Sequence, residues 1–206
     1  MSGTIGGEMF YSEPISSEKR EDDALDFAIA KLNMPVYKCL LENGHVFLDL
    51  SRIKVVPELN SDDVLLVFGF PATKTKVDTK TNAIEFNPLI LTTSPDFGNF
   101  KDENYTKGFH HIVKYQIKSL QETSTKNKMR GPKPEGISGS GLWLFARDGA
   151  QLPVPLLIGI LSEYHENRAV FISTKIDFFL EVARQKFDPT INHEGIELEI
   201  SYPDQE

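Results

Sequence analysis

The 206-residue sequence predicts an all-β fold closed by one late helix. Three observations carry that expectation. Apolar or alternating runs bounded by turn residues recur along the chain, as in half-buried strands. No 10–15-residue helical pattern separates successive runs, as a parallel α/β sheet would require. Ile176, Phe179, Leu180, Ala183 and Phe187 fall at i, i+3, i+4, i+7 and i+11, which is one apolar helix face.

Taken in order, the candidate strands are Ala24 to Leu32, His45 to Leu50, Val64 to Phe70, Ala83 to Thr93, Gly108 to Ile117, Gly141 to Ala146, Leu156 to Leu161 and Ala169 to Ser173. Turn-rich stretches such as Pro71 to Lys80 and Ser94 to Lys101 divide them. Residues 33–62, with Pro35, Pro57 and mixed charges, read as a connector between two β units. Gln116 to Lys128 reads equally as a polar helix or a surface loop. The closing helix spans about 174–187, with Thr174 and Asp177 spaced as in a capping box. The alternating Ile196 to Ile200 predicts an extra edge strand.

Composition narrows the function classes. Net charge is −8, which argues against a nucleic-acid or anionic-membrane surface. No apolar run approaches the roughly 20 residues of a membrane helix. Cys39 is the only cysteine, so no internal disulfide can form. Together with an N-terminus lacking a basic-then-apolar leader, this predicts a cytoplasmic protein. No cofactor is expected. His110 and His111 adjoin, but neighbours in a strand face opposite ways, so no shared metal is expected there.

The densest chemical signal is Pro134-Glu135-Gly136-Ile137-Ser138-Gly139-Ser140-Gly141-Leu142-Trp143. Glycine and serine crowd five of six positions before an apolar run. That pattern forms no helix, and one use of it is a tight loop displaying a serine hydroxyl beside backbone N–H groups. A glycine-rich hairpin is the alternative. The stretch is not an α/β-hydrolase elbow, because Ser140 stands where that motif needs glycine. It is not a phosphate loop, because Ile137 occupies the lysine position. Asp96-Phe97-Gly98 spells a kinase triplet, without the glycine-rich loop or catalytic loop that would accompany it.

Three further segments resemble trypsin-like serine peptidases of the bacterial cytosolic type. Leu25 to Leu32 (LDFAIAKL) is similar to the strand carrying that family's aspartate. Val67 to Phe70 before Pro71 resembles the opening strand of its second barrel. Gly159 to Ser162 (GILS), then Ala169 to Lys175 (AVFISTK) and the helix, resemble its closing elements. The order Asp, G-x-S-G-x-G, G-I-x-S, helix is the family's order, over about residues 24–186. The resemblance implies a double Greek-key β-barrel, its first barrel incomplete, divided as a partial barrel and connector over 1–62 and a second barrel with helix and tail over 63–206. It implies Ser138 as nucleophile, Gly136 and Ser138 N–H groups as the oxyanion hole, and Asp26 as orienting acid. Substrate would be a peptide or protein. The first pocket would have its base near Pro132 and walls from Leu161, Ser162, Glu163, Ala169, Val170 and Phe171, with a small or apolar preference. The strand around Ser162 would pair with an extended substrate.

The triad also requires a histidine, which the family places before the aspartate. The five histidines here are 45, 110, 111, 165 and 193, all after Asp26. Three readings follow: a chain lacking a His-bearing upstream part, a degenerate peptidase that keeps its groove for binding, or a later histidine such as His45, His110 or His111 recruited as base. Ile137 replaces the acid that precedes the nucleophile in secreted digestive members, so their zymogen switch is not expected. Hydrolysis by Ser138 and non-catalytic peptide binding are the two functions the sequence leaves open.

Overall fold

The computed structural model describes residues 7–11, 28–56, 58–78, 83–98, 105, 108–121, 125, 127–146 and 154–191. The protein is mostly β, with a curled antiparallel sheet and a C-terminal helix. β1 (Gly7–Tyr11) and β2 (Ala28–Leu32) form a separate two-stranded antiparallel sheet. α1 (Met34–Glu42) follows. Six strands then build the main sheet: β3 (Leu65–Gly69), β6 (Leu89–Thr93), β7 (His110–Lys114), β10 (Gly141–Ala146), β11 (Val154–His165) and β12 (Val170–Lys175). Two small hairpins project from it, β4 (Thr75–Asp78) with β5 (Ala83–Phe86) and β8 (Leu120–Gln121) with β9 (Lys128–Met129). α2 (Ile176–Lys186) is the last element of the described chain.

The main sheet runs β6-β3-β10-β11-β12-β7, every neighbouring pair antiparallel. Its two edges then meet. Pro95, just past β6, bridges Val113 of β7, while Lys114 N–H donates to Ser94 O at 3.1 Å and Asp96 N–H donates to Ile112 O at 2.8 Å. β3, β6 and β7 are thus successive neighbours, and β10 returns to lie beside β3, which is a Greek-key path. Curling the sheet onto itself covers edge groups that would otherwise template association.

Alternation decides which side chains fill the interior. Leu65 and Val67 of β3, Leu89 and Leu91 of β6, Val113 of β7 and Leu142 of β10 all point into one core. Each fully buried Val or Leu contributes roughly 1.5–3 kcal/mol. Tyr115 and Phe171 stack at 4.4 Å between ring centroids and close one end. α2 packs on β11 and β12, and Phe178 meets Phe109 edge-on at 4.9 Å.

Several expectations need correction. Residues 45–49 are irregular and Leu50–Arg52 is a 3₁₀ turn, because Val46 is 93% exposed and offers no buried face to a strand. The run from Ala83 to Thr93 is two strands, divided at Asn87-Pro88, where proline supplies no N–H. The connector 33–62 holds α1: Asn33 Oδ1 accepts the Val36 N–H at 3.0 Å, and Pro35 sits in the first turn, where its missing donor costs nothing. Thr174 belongs to β12, so the capping box does not form. Lys175 is the N-cap residue, and Asp177 instead accepts its neighbour Phe178's N–H. Burial on α2 also departs from the expected face: Ile176 and Leu180 are buried together with Phe178, Val182, Asp177 and Glu181, whereas Phe179, Ala183 and Phe187 are only partly covered. The described residues of Gln116 to Lys128 hold a 3₁₀ turn at Ile117–Ser119 and the β8 strand rather than an α-helix. Residues 24–27, and the strand expected at Ile196 to Ile200, lie outside the described residues.

His110 and His111 take opposite faces of β7, and both are buried. His110 packs against the Tyr105 and Phe109 rings. His111 shares the inward face with Val113 and pairs with Ser173, and its Nε2 has no hydrogen-bond partner. Burial chiefly, with nearby Lys175 and His110, pushes its pKa down to about 3. Unfolding returns it to an ordinary 6.5, so the unfolded chain binds the extra proton between those values. The corresponding stability is full above pH 6.5 and is lost as pH falls toward 3, at about 1.4 kcal/mol per unit. Urea unfolding of wild type and His111→Leu at pH 7.5, 6 and 5 should give a shallower acid loss in the variant. Parallel pH slopes would refute the assignment.

Candidate functional site

The glycine–serine stretch forms the turn that leads into β10, and backbone hydrogen bonds tie it down on both sides. Ile137 N–H donates to Pro134 O and Ser140 N–H donates to Ile137 O, each at 3.0 Å. Gly139 N–H donates to Leu161 O at 2.7 Å, and Leu161 N–H donates to Ser140 O at 2.8 Å, so the loop is bolted to β11. Ala72 N–H donates to Glu135 O at 2.8 Å, and the Thr73 hydroxyl donates to Lys133 O, which secures the other flank.

The side chain of Ile137 is buried and belongs to the core, which turns the next residue, Ser138, out to solvent. Gly136 adopts φ +81, a left-handed conformation costly for any L side chain, and an added Cβ would lie 2.9 Å from the Ala72 backbone nitrogen. At Gly69 the constraint is space: a Cβ would sit 2.0 Å from Ser140 Oγ and 2.7 Å from its Cβ. Among the described residues, neither the Gly136 nor the Ser138 N–H donates a hydrogen bond, and the Ser138 hydroxyl has no partner. Ser138 is therefore an exposed hydroxyl between available backbone donors.

Beside it lies a groove of about 340 Å³. Lys133 to Ser138 form one wall, and Ser162, Glu163, Tyr164 and Glu166 form the other, with Ile117 between. The second wall is the far end of β11. Its ladder with β10 begins at Gly141 opposite Ile160, so beyond Leu161 this side of β11 has no strand partner among the described residues. On its other side β11 stays paired to β12, through a bulge at Ser162. The bulge bends the strand and lets Glu163 and Tyr164 both reach the groove, as bulges beside binding sites commonly do. The Ser162 hydroxyl is turned back to Ile172 O at 3.3 Å.

Ser138, Gly136, Ser162 and Glu163 thus share one groove. Leu161 and Val170 are buried instead of lining it, and Ala169 lies at the turn before β12, its carbonyl accepting the Tyr115 N–H at 2.7 Å. Pro132 stands behind the wall, accepting the Tyr115 hydroxyl at 2.6 Å. Tyr115, Tyr164 and Phe171 pack together beside the groove, Tyr164 edge-on to Tyr115 at 5.6 Å. Burial, then Tyr164, pushes the Tyr115 hydroxyl up to about 12, and burial with Glu166 raises that of Tyr164, so both rings stay neutral. The walls that sequence reasoning missed, Ile117, Tyr164 and Glu166, come from a 3₁₀ turn and from beyond the bulge.

Among the described residues, no histidine lines the groove. His45 follows α1 on the surface, His110 and His111 are buried in β7, and His165 stands beside Glu163, its Nε2 3.5 Å from Oε1. Tyr105 donates its hydroxyl to the other oxygen of Glu163. Asp26 and His193 lie outside the described residues. Among the described residues no group of three His, Cys, Asp or Glu could hold a metal ion, and no helix is long and apolar enough to cross a membrane.

The fit of Gly69 against Ser140 can be checked by a double-mutant cycle. Gly69→Ala should destabilise by about 1–3 kcal/mol through overpacking, and Ser140→Gly in the same chain should recover most of that loss. Additive effects in urea unfolding would show that the two residues are not in contact. No protein-family model matches the chain, and no curated protein matches it either, so a functional reading rests on this geometry.

Proposed function

We propose that the chain is a peptidase-like module whose groove holds an extended polypeptide against the open side of β11. One observation carries this reading: among the described residues, the β10 side of β11 has no strand partner beyond Leu161, where it faces a loop whose Gly136 and Ser138 N–H groups donate no hydrogen bond. An extended peptide satisfies such an edge by adding a strand, its carbonyl meeting the Gly136 and Ser138 donors. The proposal includes the trypsin-like resemblance. The Greek-key curled sheet supports a second barrel of that kind, and β1 with β2 would be the remaining part of the first.

Hydrolysis is the second reading, favoured by the exposed Ser138 hydroxyl between two free donors. In it Ser138 attacks the peptide carbonyl and the two N–H groups stabilise the oxyanion. That chemistry needs a base within hydrogen-bond reach of Ser138. Asp26 would orient that base.

Two measurements separate the readings. A fluorescein-labelled extended peptide pool should bind the wild type by anisotropy and fail to bind Ser138→Trp, whose indole fills the groove. Binding that survives in Ser138→Trp would refute the groove assignment. Fluorophosphonate labelling that disappears in Ser138→Ala would establish a nucleophile with its base in place; absence of labelling in the wild type would leave the module as a binder.

A further inference from the structure

We infer that the polypeptide held in this groove presents a lysine or arginine side chain to the wall formed by Glu163 and Glu166. This rests on the groove reading above and names the class of peptide it selects. Three observations carry it. First, Lys133, the cation among the described lining residues, is already engaged: it lies 3.7 Å from Glu135 on the same wall, so those two charges offset one another. Second, the opposite wall keeps two carboxylates. Glu163 is fixed by the Tyr105 hydroxyl on one oxygen and has His165 3.5 Å from the other, and Glu166 has no ion pair among the described residues. A hydroxyl donor on Glu163 orients the carboxylate without cancelling its charge. Third, Tyr164 on this wall packs against the buried Tyr115 and Phe171, so aromatic rings back the wall beside the two carboxylates.

A side chain entering this groove must therefore lie along the wall. Ile117 and the half-buried Tyr164 offer apolar contact to a methylene stem, and Glu163 and Glu166 line the same groove as acceptors for a cationic head. Lysine and arginine have that form, an apolar stem with a cationic head that stays near water. An acidic side chain would meet like charge, and a short apolar one would leave both carboxylates unused. A cationic preference differs from the small or apolar one expected from the sequence, and it follows from the two acids among the groove's lining residues.

The test uses the full chain and dye-labelled Ala-Ala-Lys-Ala-Ala, with arginine, norleucine or glutamate in place of lysine. Lysine and arginine peptides should bind about tenfold tighter than norleucine, the factor expected of one charge-assisted contact. Glutamate should bind weakest. The cationic advantage should vanish in Glu163→Gln/Glu166→Gln and shrink as salt is raised. Equal binding of the lysine and norleucine peptides to the wild type would overturn the charge selection while leaving the groove standing. An advantage that persists in the double variant would overturn the assignment to these two residues. Binding by none of the peptides would overturn the groove reading and the inference with it.

Discussion

The reciprocal backbone pair between the serine loop and Leu161 holds the candidate site together. Gly139 donates to the Leu161 carbonyl, and the Leu161 N–H donates to Ser140. Leu161 itself is buried in the core, so its backbone is fixed by packing as well as by bonding. The position of Ser138 is therefore set by the interior of the sheet rather than by the loop. The same two bonds end the β10–β11 ladder. The last paired residues of β11 and the first open ones adjoin, and the loop stands at that boundary.

This arrangement explains why small residues crowd the stretch. Gly69 must lie flat for Ser140 to reach β11, and Gly136 must turn left-handed to pass Ala72. Ile137 works in the opposite sense, driving an apolar side chain inward and leaving Ser138 outside. One buried residue between two permissive ones converts a loop into a rigid display. A site used for recognition gains from such fixity, because the donors need no reordering when a ligand arrives.

Much of the sheet was legible in the sequence because its strands carry their burial in a period of two. β10 was read with its observed bounds, and β3 and β7 lie inside the runs expected. Loop chemistry was legible too, since glycine and serine at this density have few other uses. What escaped depended on contacts that no local pattern encodes. Pro35 reads locally as a connector residue, although after Asn33 it opens a helix. Tyr164 and Glu166 became groove residues through the bulge at Ser162, which depends on how β11 meets β12. Asp177, which the spacing assigns to a capping box, is buried on α2 together with Glu181, which Arg184 and Gln185 bond.

The Greek-key path has a consequence for the order in which the site comes into being. β3, β6 and β7 are neighbours drawn from residues 65–114, and β10, β11 and β12 are neighbours drawn from residues 141–175. Each trio joins segments close along the chain, whereas the seams β3–β10 and β7–β12 join distant ones and close long loops. Ser138 lies on the stretch that links the two trios. Its loop needs Ala72 from the first and Leu161 from the second before it is held on both sides. The groove thus belongs to neither half, and a chain emerging from synthesis carries an assembled site only after the last strands have docked.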